Sequence, residues 1–246
     1  MRRQEEQRTE AITERDRRVT AHPPELWTAL VITPLLATAF FYLLPAHAQA
    51  QRSWQFLPQL SAYACLTLWA VRNRDIPAKL GLEYGKISTG IWKGLGVGLI
   101  LGSLNTVLIL YGAPLLDIEI GFLRETPHAH LSPALMVPWF ILLIAIGVEV
   151  NFRGFLLGRF TALLTTCPVF AQRPFVAQAL ALGLSSLIFA FDPFMVVTFQ
   201  SLHWIALWDG LIWGGIWLYT RNLYIPITAH AMEVIIEYLT IRSLLI

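Results

Sequence analysis

LSPALMVPWFILLIAIGVEVNFRGFLLGRF, residues 131–160, carries no charged side chain before Glu149. Its apolar part, 132–152, is about long enough to cross the roughly 30 Å of a bilayer's hydrocarbon at 1.5 Å per residue. Glu149 and Arg153 stand at i and i+4, on one helical face, where they can pair. A charge at the bilayer centre costs about 2.5–3.5 kcal/mol even on a lenient insertion scale, so such residues face a protein interior or a wet cavity. Two readings of the pair stay open. One is a buried ion pair that fixes helix register; the other is a carboxylate, supported by Arg153, that moves a proton or polarises a water.

The apolar pattern recurs outward from this stretch, at 26–46, 56–71, 92–115, 174–193, 199–219 and 226–245. Of 246 residues, 56% are hydrophobic and 14% charged, against about 25% charged in soluble domains. That balance excludes an ordinary water-soluble enzyme. The expected fold is all-α, a polytopic membrane bundle of seven transmembrane helices, with eight as the nearest rival. The chain divides into a charged arm (1–25), N-terminal transmembrane helices (26–129) and a core (130–246). The arm holds 12 of the 34 acidic and basic residues and reads as a solvated segment, helical or disordered.

Alternate loops are unequal in charge. Those on the side of the N-terminus hold 15 of the 18 Lys and Arg, which puts the N-terminus in the cytoplasm. "FFYLLPAHAQA", residues 40–50, imitates an apolar signal core with an A-x-A cleavage site. The arm before it is too long and too acidic for a usual signal peptide, so it is read as a span that stays. The net charge of +2, with no basic stripe beyond the arm, argues against nucleic acid as a partner. Cys65 and Cys167 have no metal-ligand spacing and form no disulfide framework.

The remaining polar residues at membrane depth are few. In "NLYIPITAHAMEVIIEY", residues 222–238, Pro226 suits a first helical turn. His230, Glu233 and Glu237 follow at i, i+3 and i+7 and point to one polar cavity. The same stripe can supply ligands to a divalent metal such as zinc, but no third and fourth ligand stands nearby in sequence, and the cofactor stays unknown. Asp192 and Pro193 end a span and read first as a helix terminus. Asp209, six residues after His203, shares no face with it and reads as a helix-contact residue. Gly94, Gly98 and Gly102, like Gly210 and Gly214, repeat every four residues and let helices approach closely.

Three stretches resemble the CPBP family of intramembrane CAAX-processing and bacteriocin-processing proteases. "VEVNFRGFLLGRF" is similar to its Glu-Glu-x-x-x-Arg motif, "LSSLIFAF" to the lead-in of its Phe-x-x-x-His motif, and "DGLIWGGIWLYTRNLYIPITAHAMEV" to the approach to its last histidine. The likeness covers roughly residues 130–240. It implies an endopeptidase in which a glutamate activates water, histidines and an asparagine polarise the scissile carbonyl, and an arginine supports the site. Carried over by position, Arg153 matches the arginine, Glu149 the second glutamate and His230 the last histidine. Val148, Pro193 and Val234 stand where the first glutamate, the middle histidine and the asparagine are expected. Glu233 and Asp192 each lie one residue before a lost position and are accessory candidates.

Three functions follow as expectations. The first is an intramembrane endopeptidase in which Glu149, with Arg153, activates a water and His230 stabilises the oxyanion, acting on a membrane-embedded or lipidated peptide or protein in contact with membrane lipid. By the resemblance, it is integral to a bacterial inner membrane. The second is a catalytically impaired relative with a binding, immunity or scaffold role. The third is a small transporter with an intramembrane proton relay, for which no inverted repeat is visible. The depth arithmetic expects Glu149 and His230 within hydrogen-bonding or one-water reach. Asp192 would join them only if the helix begun near residue 132 runs on to about 165.

Overall fold

The computed structural model describes residues 25–245, and apart from Glu25 the charged arm lies outside them. Every regular element among the described residues is helical. We number the principal helices α1 (Ile32–Leu43), α2 (Leu57–Arg72), α3 (Ile87–Val107), α4 (the run Pro133–Thr166), α5 (Pro174–Ala190), α6 (Pro193–Phe199), α7 (Trp204–Thr220) and α8 (Tyr224–Leu245). Proline stands in the first turn of α2, α5 and α6, where its missing N–H is no loss.

Helix occupies each of the seven apolar segments, but the expected seven crossings are not all met by single helices. By length and composition, two runs can cross a membrane: Ile76–Leu115, with 40 residues, and Pro133–Thr166, with 34. The pair Pro174–Ala190 and Pro193–Leu202, bent by 53°, makes a third if it is one span. The others fall short for visible reasons. The run Thr28–Leu43 is a shorter apolar helix, α2 has 16 residues and α7 has 17, and α8 carries the polar stripe of the site.

Three helix pairs organise the bundle: α1 with α2, α3 with α8, and α5 with α7. The α3–α8 seam depends on absent side chains. A Cβ on Gly98 would lie 2.6 Å from the Ala229 carbonyl oxygen, and one on Gly102 would lie 2.8 Å from the Glu233 Cα. The α5–α7 seam is similar, since a Cβ on Gly210 would meet Ser186 Cβ at 2.9 Å. In an apolar solvent, where lipid tails compete equally for apolar side chains, such close backbone packing is what holds helices together.

The long helix α4 is not regular. Met136–Ile141 and Val150–Leu157 are π-helical, with i→i+5 bonding. Wide turns of this kind redirect the face that follows them and recur at functional sites. Ser185 Oγ on α5 donates to the Phe152 carbonyl inside the second π stretch, at 2.9 Å. Around it the main core gathers Trp69, Phe155, Leu156, Trp213, Trp217 and Leu223, all almost fully buried.

Candidate active site

The start of α8 is fixed by Asn222. Its Oδ1 accepts from the Tyr224 amide at 3.1 Å, which caps the helix, and its Nδ2 donates to the Lys86 carbonyl at 3.0 Å, next to the start of α3. From that start, helical periodicity lays His230, Glu233, Glu237, Tyr238 and Arg242 along one face. This face walls a cavity of about 240 Å³. Opposite it stand apolar residues such as Ile109, Met136, Ile141, Phe199 and Leu202, with Asp209 from α7.

At one end of the cavity, α4 and α8 meet through charge. Glu149 Oε1 accepts from Arg153 Nη1 at 3.1 Å and lies 2.8 Å from His230 Nδ1. All three groups are buried, and Glu149 wholly so. A carboxylate only accepts, so the Glu149 contact assigns the hydrogen to Nδ1, and His230 also lines the cavity. Aromatic faces hold the remaining surfaces. Trp213 stacks on the His230 ring with centroids 4.7 Å apart, and the Arg153 guanidinium lies 4.4 Å from the Phe189 ring centroid and 5.1 Å from that of Trp213. Burying an ion pair is costly unless it is well satisfied. Here Glu149 Oε2 and Arg153 Nη2 have no partner among the described residues.

A second cluster lies beside the first. Asn105 Nδ2, on α3, donates to Glu233 Oε1 at 2.6 Å and to Asp209 Oδ1 at 3.1 Å. One amide thus draws two carboxyl groups from two other helices to a single point. Two carboxylates this close repel unless a proton or cation lies between them. Glu233 Oε2 and Glu237 Oε1 are buried and unpaired among the described residues, and both residues line the cavity. Buried oxygens in this state call for a water or a ligand group.

The structure brings Glu149, Arg153, His230 and Glu233 into one neighbourhood. It does not bring Asp192 there, although α4 does run on to Thr166 as joining required. The Asp192 carboxylate accepts from the Phe194 and Met195 amides, capping α6, and from Gln59 Nε2 at 2.9 Å. It is therefore a helix cap tied to α2. Val148 and Val234 line the cavity, whereas Glu149 does not. The 100° step between helix neighbours points Val148 at the cavity and Glu149 behind it. Reading the sequence alone set Asp209 aside and did not single out Asn105. The signal that marks both is the one used for Glu149, a polar side chain deep in an apolar segment.

Among the described residues, no group of three His, Cys, Asp or Glu is disposed to hold a metal ion.

Residues 130–236 match the family model described as type II CAAX prenyl endopeptidase Rce1-like, so that this segment is similar to that family. The matched segment is a little under half of the chain and contains Glu149, Arg153, Asp209, His230 and Glu233. Asn105 and Glu237 lie outside it. No curated protein and no solved structure matches the chain.

Proposed function

We propose that the protein is an intramembrane endopeptidase of the CAAX type whose water-activating carboxylate is Glu233. The observation that carries this reading is the unpaired Glu233 Oε2, buried at the wall of the cavity that His230 also lines. Glu233 takes a proton from a water, and the water oxygen bonds to the scissile carbonyl carbon. His230, protonated, donates from Nε2 to the developing oxyanion and then to the leaving amine as the C–N bond breaks. The proton gained by the amine balances the one taken from water.

Glu149 and Arg153 are positioning residues in this scheme. Glu149 orients the His230 ring, and Arg153 holds Glu149 in turn. Asn105 and Asp209 set the direction of the Glu233 carboxyl. The apolar cavity excludes bulk water and suits a membrane-embedded or lipidated peptide. We further propose that all seven apolar segments traverse or enter the bilayer, with the N-terminus on the cytoplasmic side, as the Lys and Arg distribution favours. The protein is then integral to a cell membrane, and of a bacterial inner membrane by the resemblance. The division at residues 26–129 and 130–246 keeps the site mostly in the second part, with Asn105 lent by the first.

The test compares the membrane proteomes of cells holding wild type or Glu233→Gln at matched protein level. Precursors that accumulate only in the variant, with a defined missing end, are the expected result. No difference from wild type, against a clear difference for the deletion, would make the protein a binder and overturn the reading.

A further inference from the structure

The two ends of the bundle differ in charge. At one end, the start of α8 meets the start of α3 and the ends of α4 and α7. Lys86 Nζ donates to the Arg221 carbonyl at 3.2 Å, and Trp217 Nε1 donates to the Leu80 carbonyl at 3.0 Å. Arg159 Nη1 and Lys79 Nζ lie 2.8 and 3.9 Å from Glu25 Oε1. Lys79, Lys86, Arg159 and Arg221 thus share this end, and all four belong to the loops that hold 15 of the 18 Lys and Arg. At the other end, the last turns of α8 are tied to the chain entering α4, where Tyr238 Oη donates to the Leu131 carbonyl at 2.7 Å. The loops on that side contain only Arg52, Arg124 and Arg242.

The ends differ in packing as well. His230 and Glu233 lie six and nine residues into α8, roughly 9 and 14 Å from its charged end. That interval is filled by Phe155, Leu156, Leu157, Trp217 and Leu223, each at most 1% exposed, and none of them lines the cavity. The cavity instead extends the opposite way, to Leu123, Thr126, Ala129 and Arg242, of which Thr126 and Arg242 are half-buried. A close-packed core has few voids as large as one water. Neither a peptide bond nor the water that hydrolysis consumes reaches Glu233 through the charged end.

We propose that the cavity is entered from the end of the bundle poor in Lys and Arg, so that the substrate is an apolar peptide segment presented on the extracytoplasmic side of the membrane. The side rests on the orientation, and the word substrate on the endopeptidase reading, both given under the proposed function. The entry end rests on packing alone.

The experiment uses the full-length protein carrying Cys65→Ala and Cys167→Ala, with one cysteine restored at a time. Tyr84→Cys marks the charged end, where Tyr84 is exposed. Thr126→Cys marks the mouth, and Val234→Cys the cavity wall beside Glu233. Phe199→Cys, at a second lining position, takes the place of Val234→Cys if that variant does not fold. Right-side-out and inverted membrane vesicles are treated with a membrane-impermeant maleimide. The expected result is labelling of Thr126→Cys and Val234→Cys in right-side-out vesicles only, and of Tyr84→Cys in inverted vesicles only. Labelling of Val234→Cys from the Tyr84 side, alone or as well, overturns the proposal, as does a Val234→Cys that reacts from neither side yet reacts once denatured. Tyr84→Cys labelled from outside, with Val234→Cys labelled from inside, overturns the extracytoplasmic assignment and keeps the entry end. Outside-only labelling of Val234→Cys in a protein for which Glu233→Gln accumulates no precursor leaves the entry route in place and refutes the protease reading instead.

Discussion

Glu149 meets the cavity only through His230: its Oε1 lies 2.8 Å from the ring Nδ1, while its own side chain is sealed from the cavity. Through Oε1 it therefore acts on the ring.

For that reason Glu149→Gln is expected to act on turnover. The ring loses its orienting charge while the cavity keeps its shape, so kcat falls by roughly 100-fold, the size of an approximately 1 Å misplacement, and KM moves little. His230→Ala removes the donor itself and costs about 10²–10⁴-fold. Steady-state cleavage of a lipidated peptide in proteoliposomes separates the two. A Glu149→Gln variant with normal kcat and raised KM would contradict this assignment.

Asn105→Ala withdraws the one amide that Glu233 and Asp209 share. Each buried carboxyl left without a partner costs about 1–3 kcal/mol, so the thermal midpoint in detergent falls. Activity falls with it, because Glu233 loses its direction. Asn105→Asp is worse, since it adds a third carboxyl group at the same point.

Gly102→Ala pushes a methyl group toward the Glu233 Cα, only 2.8 Å from where it would sit. Overpacking of this kind costs about 1–3 kcal/mol. Gly96→Ala is the matched control: nothing lies within 4 Å of its Cβ position, and removing glycine from a helix interior stabilises by roughly 0.5–1 kcal/mol. Unfolding of the two variants in the same detergent should move in opposite directions.

Asp192→Ala removes the α6 cap and the Gln59 contact. A loss of about 0.5–2 kcal/mol is expected, with peptide cleavage near the wild-type rate where the protein is folded. Loss of cleavage at full stability would return Asp192 to the site.

Much of this was legible from residue spacing. The i, i+4 relation of Glu149 and Arg153 holds as an ion pair, and the stripe of His230, Glu233 and Glu237 faces one cavity, because both follow from helical geometry within one segment. The cluster around Asn105 was not legible: its members lie on three helices, with 104 residues between Asn105 and Asp209 and 128 between Asn105 and Glu233, and no periodicity links them. Asp209 was judged against His203, six residues away, when its partner was on α3. The π-helical stretches of α4 leave no mark in composition either, because i→i+5 bonding uses ordinary residues. The number of membrane crossings was set from apolar length alone, and the very groups that make α8 useful lower its hydropathy.

The continuous wall formed by α8 makes the site behave as the teeth of a single key. Inserting one residue after Ile227 would turn everything beyond it by about 100°, carrying His230, Glu233, Glu237 and Arg242 out of the cavity together. The reading frame of this one helix, relative to its glycine-lined neighbour, therefore governs the whole site at once. A substitution along α8 disturbs one contact at a time, whereas an insertion or deletion disturbs them all.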